Sequence, residues 1–108
     1  MLHWSAQKWT SAISIEQAAN VTIDDFTGRQ AYVNTDVPAV VLKDVNGAMI
    51  RNSTAPEGTG TFLKVTGTDS KNITLFGNDL RFAKTAVQLD SGLEKSIVTQ
   101  MDNFMPAN

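Results

Sequence analysis

The chain predicts an all-β fold, a right-handed parallel β-helix (solenoid) of about four coils, and two observations carry that expectation. Short alternating apolar runs occur in four pairs: Ile13-Ser14-Ile15 with Val21-Thr22-Ile23, Val40-Val41-Leu42 with Ala48-Met49-Ile50, Leu63-Lys64-Val65 with Ile73-Thr74-Leu75, and Val87-Gln88-Leu89 with Ile97-Val98-Thr99. First runs begin at 13, 40, 63 and 87, and second runs at 21, 48, 73 and 97, so the unit repeats with steps of 23 to 27 residues. A repeat of that length, built from short strands, is the mark of a solenoid in which each unit forms one coil.

Each element follows from local chemistry. Within the runs the apolar residues alternate and β-branched Val, Ile and Thr are frequent, which is the period of a strand with one buried face; helical spacing is absent. The linkers Glu16–Asn20, Lys43–Gly47, Thr66–Asn72 and Asp90–Ser96 are rich in Asn, Asp, Gly and Ser, residues that accept left-handed backbone or bond their own main chain, and read as turns. Asn20, Gly47, Asn72 and Ser96 precede the second strands and are expected to stack at the strand spacing of about 4.8 Å, where asparagine amides form a ladder. A second polar corner follows, Asp24-Asp25, Asn52-Ser53-Thr54, Asn78-Asp79 or Asp102-Asn103, and in three coils an apolar residue comes next: Phe26, Leu80 or Phe104. A third side closes each coil, with its longest loops at Arg29–Asp36 and Ala55–Gly60.

The predicted core is Ile13, Ile15, Val21, Ile23, Val40, Leu42, Ile50, Leu63, Val65, Ile73, Leu75, Val87, Leu89 and Ile97. One domain, 1–108, is expected, with coils over 11–104 and residues 1–10, including Leu2, Trp4 and Trp9, as an end cap.

Composition narrows the function. A net charge of −2 and a pI near 5.1 lack the basic surface of a nucleic-acid binder, so no nucleic-acid partner is expected. The absence of cysteine excludes disulfides and thiolate metal sites, and neither an Asp-x-Asp-x-Asp string nor a histidine pair offers a metal site, so no cofactor is expected. No run approaches the roughly 18 apolar residues of a membrane helix, and the first residues lack a signal-peptide core. Gly58-Thr59-Gly60 leads into a strand and reads as a turn, not a phosphate loop. The sequon-like triplets at Asn20, Asn52 and Asn72 arise from Asn corners followed by β-forming Thr.

The strings Asn20-Val21-Thr22-Ile23, Lys71-Asn72-Ile73-Thr74-Leu75 and Gly60-Thr61-Phe62-Leu63-Lys64-Val65, with their spacing, resemble right-handed parallel β-helix proteins of the pectin lyase-like class. More narrowly, they are similar to the C-terminal coils of bacterial polygalacturonase-like glycoside hydrolases. The resemblance implies a periplasmic or secreted protein that binds or cleaves acidic plant polysaccharide along one open sheet. That family's catalytic pattern is Asn-Thr-Asp, an Asp pair, Gly-His-Gly and Arg-x-Lys on successive coils. Here Asn34-Thr35-Asp36 lies before Val37-Pro38, the pair Asp24-Asp25 precedes that triplet, His3 lacks flanking glycines, and no Arg-x-Lys occurs. The chain alone is therefore not expected to be active.

A binding strip remains. Ser14, Val41, Lys64 and Gln88 lie between buried positions of the first strands and are flanked by Lys43, Thr66 and Asp90, so all point out of the sheet. Lys43, Lys64, Gln88 and Asp90 are the candidate binding residues, with the two lysines suited to a uronate. Three function classes stay open: a noncatalytic polysaccharide-associated β-helix piece, a structural module assembling through its ends or exposed strand faces, and a small hydrolase or lyase with an unrecognised site. Val41, Met49 and Val98 are apolar residues at expected outward positions and motivate homo-oligomerisation.

Overall fold

A computed structural model describes residues 11–29 and 37–106 of the chain. The expected cap over residues 1–10, with His3, and the triplet Asn34-Thr35-Asp36 lie outside the described residues.

The protein is an all-β parallel solenoid. Among the described residues six strands, β1 (Ile13–Asp24), β2 (Val40–Arg51), β3 (Thr61–Thr66), β4 (Lys71–Phe76), β5 (Thr85–Leu89) and β6 (Val98–Met101), are joined by loops and one 3-10 turn at Lys95–Ile97. Every strand pairing is parallel: β1 lies on β2, β3 and β4 both lie on β2, β5 lies on β3 and β6 on β4. Two partners fit along one edge of β2 because β1 and β2 each run around corners and span two sides of the coil. The corners are Gln17 and Asn20 in β1 and Asp44 and Gly47 in β2, all at positive φ. Polar residues and glycine occupy these points because few L side chains adopt left-handed backbone cheaply.

A third side stacks as isolated parallel bridges, Thr27 on Thr54, Thr54 on Asp79 and Asp79 on Phe104. It is entered in every coil through a left-handed residue, at Asp25, Asn52, Gly77 and Asp102. The column Ile13–Val40–Leu63–Val87 passes through four rungs but only three full turns, so the solenoid has about three turns where the sequence implied about four coils.

The core is a set of inward columns. Ile15, Leu42, Val65 and Leu89 form one, Ile23, Ile50, Leu75 and Gln100 another, and Val21, Ala48, Ile73 and Val98 a third. Residues on the middle rungs are fully enclosed, Leu42, Ile50, Leu63, Val65 and Leu75 being 0% exposed. Val21, Val87, Leu89 and Ile97, all expected in the core, are only partly buried at its margins. Val45, Leu80, Ala39 and Phe62 belong to the core although the alternating runs did not mark them.

Four local expectations are corrected. The segments Glu16–Asn20 and Lys43–Gly47 are not excursions: Ala18 pairs with Val45 and Ala19 with Asn46, because left-handed residues bend the strand while its ladder continues. In the next coil the chain does leave the ladder, and Ser70 substitutes for it. Its hydroxyl accepts from the Val45 N–H at 3.2 Å and donates to the Thr66 carbonyl at 2.8 Å. The same corner requires Gly67, at φ 88°, since a Cβ there would stand 2.7 Å from the Asp44 backbone nitrogen.

The second correction concerns the last rung. Ile73 pairs with Val98 and Leu75 with Gln100, one residue later than the apolar alternation implied. The 3-10 turn draws Ile97 out of the strand, so Ile97, not Ser96, follows Asn20, Gly47 and Asn72 in the corner column. Val98 therefore turns inward and is half-buried, contrary to its expected outward place.

Third, the asparagine ladder lies at another corner. Gly47 interrupts the expected column, and the Asn72 amide donates to Asn46 instead, at 3.2 Å. The ladder forms in the column Phe26–Ser53–Asn78–Asn103. Ser53 N–H donates to Asn78 Oδ1 (2.9 Å), and Asn78 N–H and Nδ2 both donate to Asn103 Oδ1 (2.8 and 3.0 Å). Asn78 Nδ2 also reaches the Ile50 carbonyl (2.9 Å), and Asn103 Nδ2 the Leu75 carbonyl (2.9 Å). Asn78 is 0% exposed with its side chain fully engaged, as a buried amide must be.

Fourth, Phe26, Leu80 and Phe104 are not equivalent. Phe26 occupies the Ser53 column, Leu80 follows the Asp79 bridge into the interior, and Phe104 pairs with Asp79 on the outside, 63% exposed.

Candidate functional site

Three surfaces carry the chemistry available to this fold. The first is the outward face of the sheet side formed by β3, β5 and the leading halves of β1 and β2. Its columns are Ser14–Val41–Lys64–Gln88 and Glu16–Lys43–Thr66, the latter continued by Asp90 at the end of β5. Lys43, Lys64, Gln88 and Asp90 thus share one face. Register also supplies their partners: Lys43 Nζ lies 3.7 Å from Glu16 Oε2, and Lys64 Nζ lies 3.7 Å from Asp90 Oδ1. The Thr66 hydroxyl donates to the other Asp90 oxygen. Each lysine meets a carboxylate from an adjacent rung, so the strip is locally neutral. Such exposed pairs are worth little stability and open at small cost to an incoming anion.

The second surface is the outward face formed by the trailing halves of β1 and β2 with β4 and β6. A groove of about 490 Å³ is lined by Asp24, Met49, Arg51, Asn52, Thr74, Phe76 and Met101. Met49, Phe76 and Met101 are 36%, 40% and 50% exposed on three successive rungs. One rim is polar: Arg51 Nη2 lies 3.4 Å from Asp24 Oδ2, and Asn52 Nδ2 donates to Asp24 Oδ1 at 3.3 Å. Of the apolar residues expected to face outward, only Met49 takes part. Phe76 lies one step beyond its apolar run, where continuing the alternation past Leu75 would have marked it as outward, whereas Met101 faces outward only because the last rung is shifted by one residue.

The third surface is the open end of the last rung, where a hollow of about 660 Å³ is lined by Val87, Leu89, Leu93, Val98 and Gln100 beside Asp90 and Lys95. Here the inward columns end without a further coil among the described residues.

Ionisable groups are mostly placed as surface ties. Arg81 grips Asp79 with two bonds, Nε to Oδ1 at 2.9 Å and Nη2 to Oδ2 at 2.8 Å, and lies 5.1 Å from the Phe104 ring centre. The Arg81 hydrogen bonds hold the Asp79 carboxyl below the usual carboxylate range, and Asp79 in turn raises the guanidinium. Whatever this tie contributes is present above the ordinary carboxylate pKa and is lost as pH falls through the lowered value. Asp24 is committed to Arg51, and Asp25 sits at a left-handed corner, φ 59°. Among the described residues no group of three His, Asp or Glu side chains is placed to hold a metal ion, and no helix is long and apolar enough to cross a membrane.

Over the described residues, fold and surfaces together define a parallel β-solenoid of about three turns that presents its strand faces outward. Comparison with protein-family models, with curated proteins and with solved structures finds no match.

Proposed function

We propose that this chain is a noncatalytic interaction module, a solenoid scaffold whose outward β4–β6 face docks an apolar surface of a partner protein. One observation carries the reading: Met49, Phe76 and Met101 stand exposed on successive rungs of one face, next to the Asp24–Arg51 pair. Outward strand positions are ordinarily polar. A contiguous patch of Met and Phe with a polar rim has the composition of an interface centre. Anilinonaphthalenesulfonate should brighten with the folded chain, and Met49→Lys with Met101→Lys should reduce that signal by about half or more while the β-type circular dichroism stays unchanged. An unaltered signal in the double variant would remove the reading.

A second reading is favoured by the shared face of Lys43, Lys64, Gln88 and Asp90, which supports noncatalytic binding of an acidic polysaccharide. A uronate would replace Glu16 and Asp90 as the lysines' partner. Calorimetric titration with oligogalacturonate at low salt tests it: heat that weakens several-fold in Lys64→Gln supports the strip, and no heat at millimolar ligand contradicts it. The extracytoplasmic location implied by the family resemblance stands with this second reading. No reducing ends should be released from polygalacturonate in either case.

A further inference from the structure

We propose that Met49 and Met101 are reversible sulfoxidation sites, through which a hydroperoxide switches off the apolar β4–β6 face. The inference rests on the docking reading above and names how that same surface is regulated.

The placement of the two thioethers carries it. Met49 lies at an outward position of β2 between Thr22 and Thr74 of the adjacent rungs, and Met101 lies beside Phe76. Both reach solvent, at 36% and 50% exposed, and both line the groove with Phe76. Met49 and Phe76 stand on inner rungs with a paired strand on either side, so strand orientation alone exposes them. The other lining residues, Asp24, Arg51, Asn52 and Thr74, are polar. The apolar character of the groove therefore comes from three side chains, and one kind of reaction converts two of them to polar groups.

A thioether exposed to peroxide takes up one oxygen and becomes a sulfoxide, polar and chiral where it was apolar. The sulfur lone pair attacks one peroxide oxygen, an S–O bond forms as the O–O bond breaks, and water or an alcohol leaves. Sulfur loses two electrons and the peroxide gains them. A dithiol-dependent sulfoxide reductase reverses the change, returning two electrons, closing a disulfide in the dithiol and releasing the oxygen as water.

The fold decides what the sulfoxide does. In a core it disrupts packing, but Met49 alternates with Ala48 and Ile50, which are 7% and 0% exposed, and points away from the interior. Oxidation therefore leaves the stacked rungs intact. At position 49 the new oxygen, a stronger acceptor than the thioether, stands between the Thr22 and Thr74 rungs at a spacing of about 4.8 Å, where two hydroxyls suit it. The polar form is accommodated, while the apolar centre that a partner would bury is lost.

The test treats the folded chain with hydrogen peroxide, which catalase then removes. Peptide mapping should find one added oxygen on Met49 and on Met101. Circular dichroism should not change, and anilinonaphthalenesulfonate fluorescence should fall by about half or more. Reductases for both sulfoxide epimers, with dithiothreitol, should restore the signal. Met49→Leu with Met101→Leu keeps the face apolar and should hold its signal through peroxide. Met105→Leu, at an exposed methionine outside the groove, should lose it like the parent chain. A signal that survives complete oxidation of Met49 and Met101, a loss that reduction does not reverse, or a Met49 that stays unoxidised would each overturn the switch and leave the docking reading standing. No dye binding before peroxide would remove both.

Discussion

Asn78→Leu is expected to destabilise the fold by about 4 kcal/mol, within reach of the whole stability of a domain this size. The substitution keeps volume and apolar burial but removes every side-chain hydrogen bond of a residue that is 0% exposed. Ser53 N–H loses its acceptor and the Ile50 carbonyl loses a donor, both in the closed interior of the corner. Each orphaned buried group costs roughly 1–3 kcal/mol because no water replaces the partner. Asn103→Leu, on the last rung and half-buried, should cost less, since solvent reaches the groups it leaves. Urea unfolding with unchanged slope and a large midpoint shift for Asn78→Leu, larger than that for Asn103→Leu, would support the ladder. A shift equivalent to under about 1 kcal/mol would show that this corner does not depend on the amide.

Leu42→Ala should cost about 2–5 kcal/mol, and Leu89→Ala clearly less. Both belong to one inward column, but Leu42 is packed between Ile15 and Val65 and is 0% exposed, whereas Leu89 closes the column at the open end and is half-buried. A truncation between two rungs leaves a cavity that the flanking coils cannot collapse into without breaking register. A truncation on the last rung only enlarges a hollow already open to water. Equal effects at the two positions would mean that the end is covered in solution, and sedimentation of the same samples would show whether a second copy supplies the cover.

The strand faces were legible in the sequence wherever alternation alone decides orientation. Val40 and Leu42, Leu63 and Val65, Ile73 and Leu75 are buried as their spacing implies, and Lys64 and Gln88 face outward for the same reason. Alternation fails where the backbone changes hand. Asn78 and Asn103 read as turn residues because polar side chains after a strand usually meet water. Here the left-handed residue before each one swings its amide inside, where it replaces backbone partners lost at the corner. The last rung slipped because a 3-10 turn consumed Ile97, and nothing in the apolar pattern distinguishes a strand residue from one in a single tight turn. The surfaces divide in the same way. The row of candidate binding residues followed from period two, but its ion pairs with Glu16 and Asp90 depend on which rung lies beside which.

That stacking register fixes the ladder, the core columns and every surface described above, and engineered disulfides test it most directly, since the chain has no cysteine of its own. Outward positions in adjacent parallel rungs have Cα atoms about 4.8 Å apart, inside the range a disulfide spans, while positions two rungs apart lie beyond it. Val41→Cys with Lys64→Cys, and Lys64→Cys with Gln88→Cys, should each oxidise to an intramolecular bridge in the native state. Ser14→Cys with Lys64→Cys, separated by the β2 rung, should remain reduced under the same conditions. Ready bridging of Ser14→Cys with Lys64→Cys, and none in the two adjacent pairs, would contradict the solenoid.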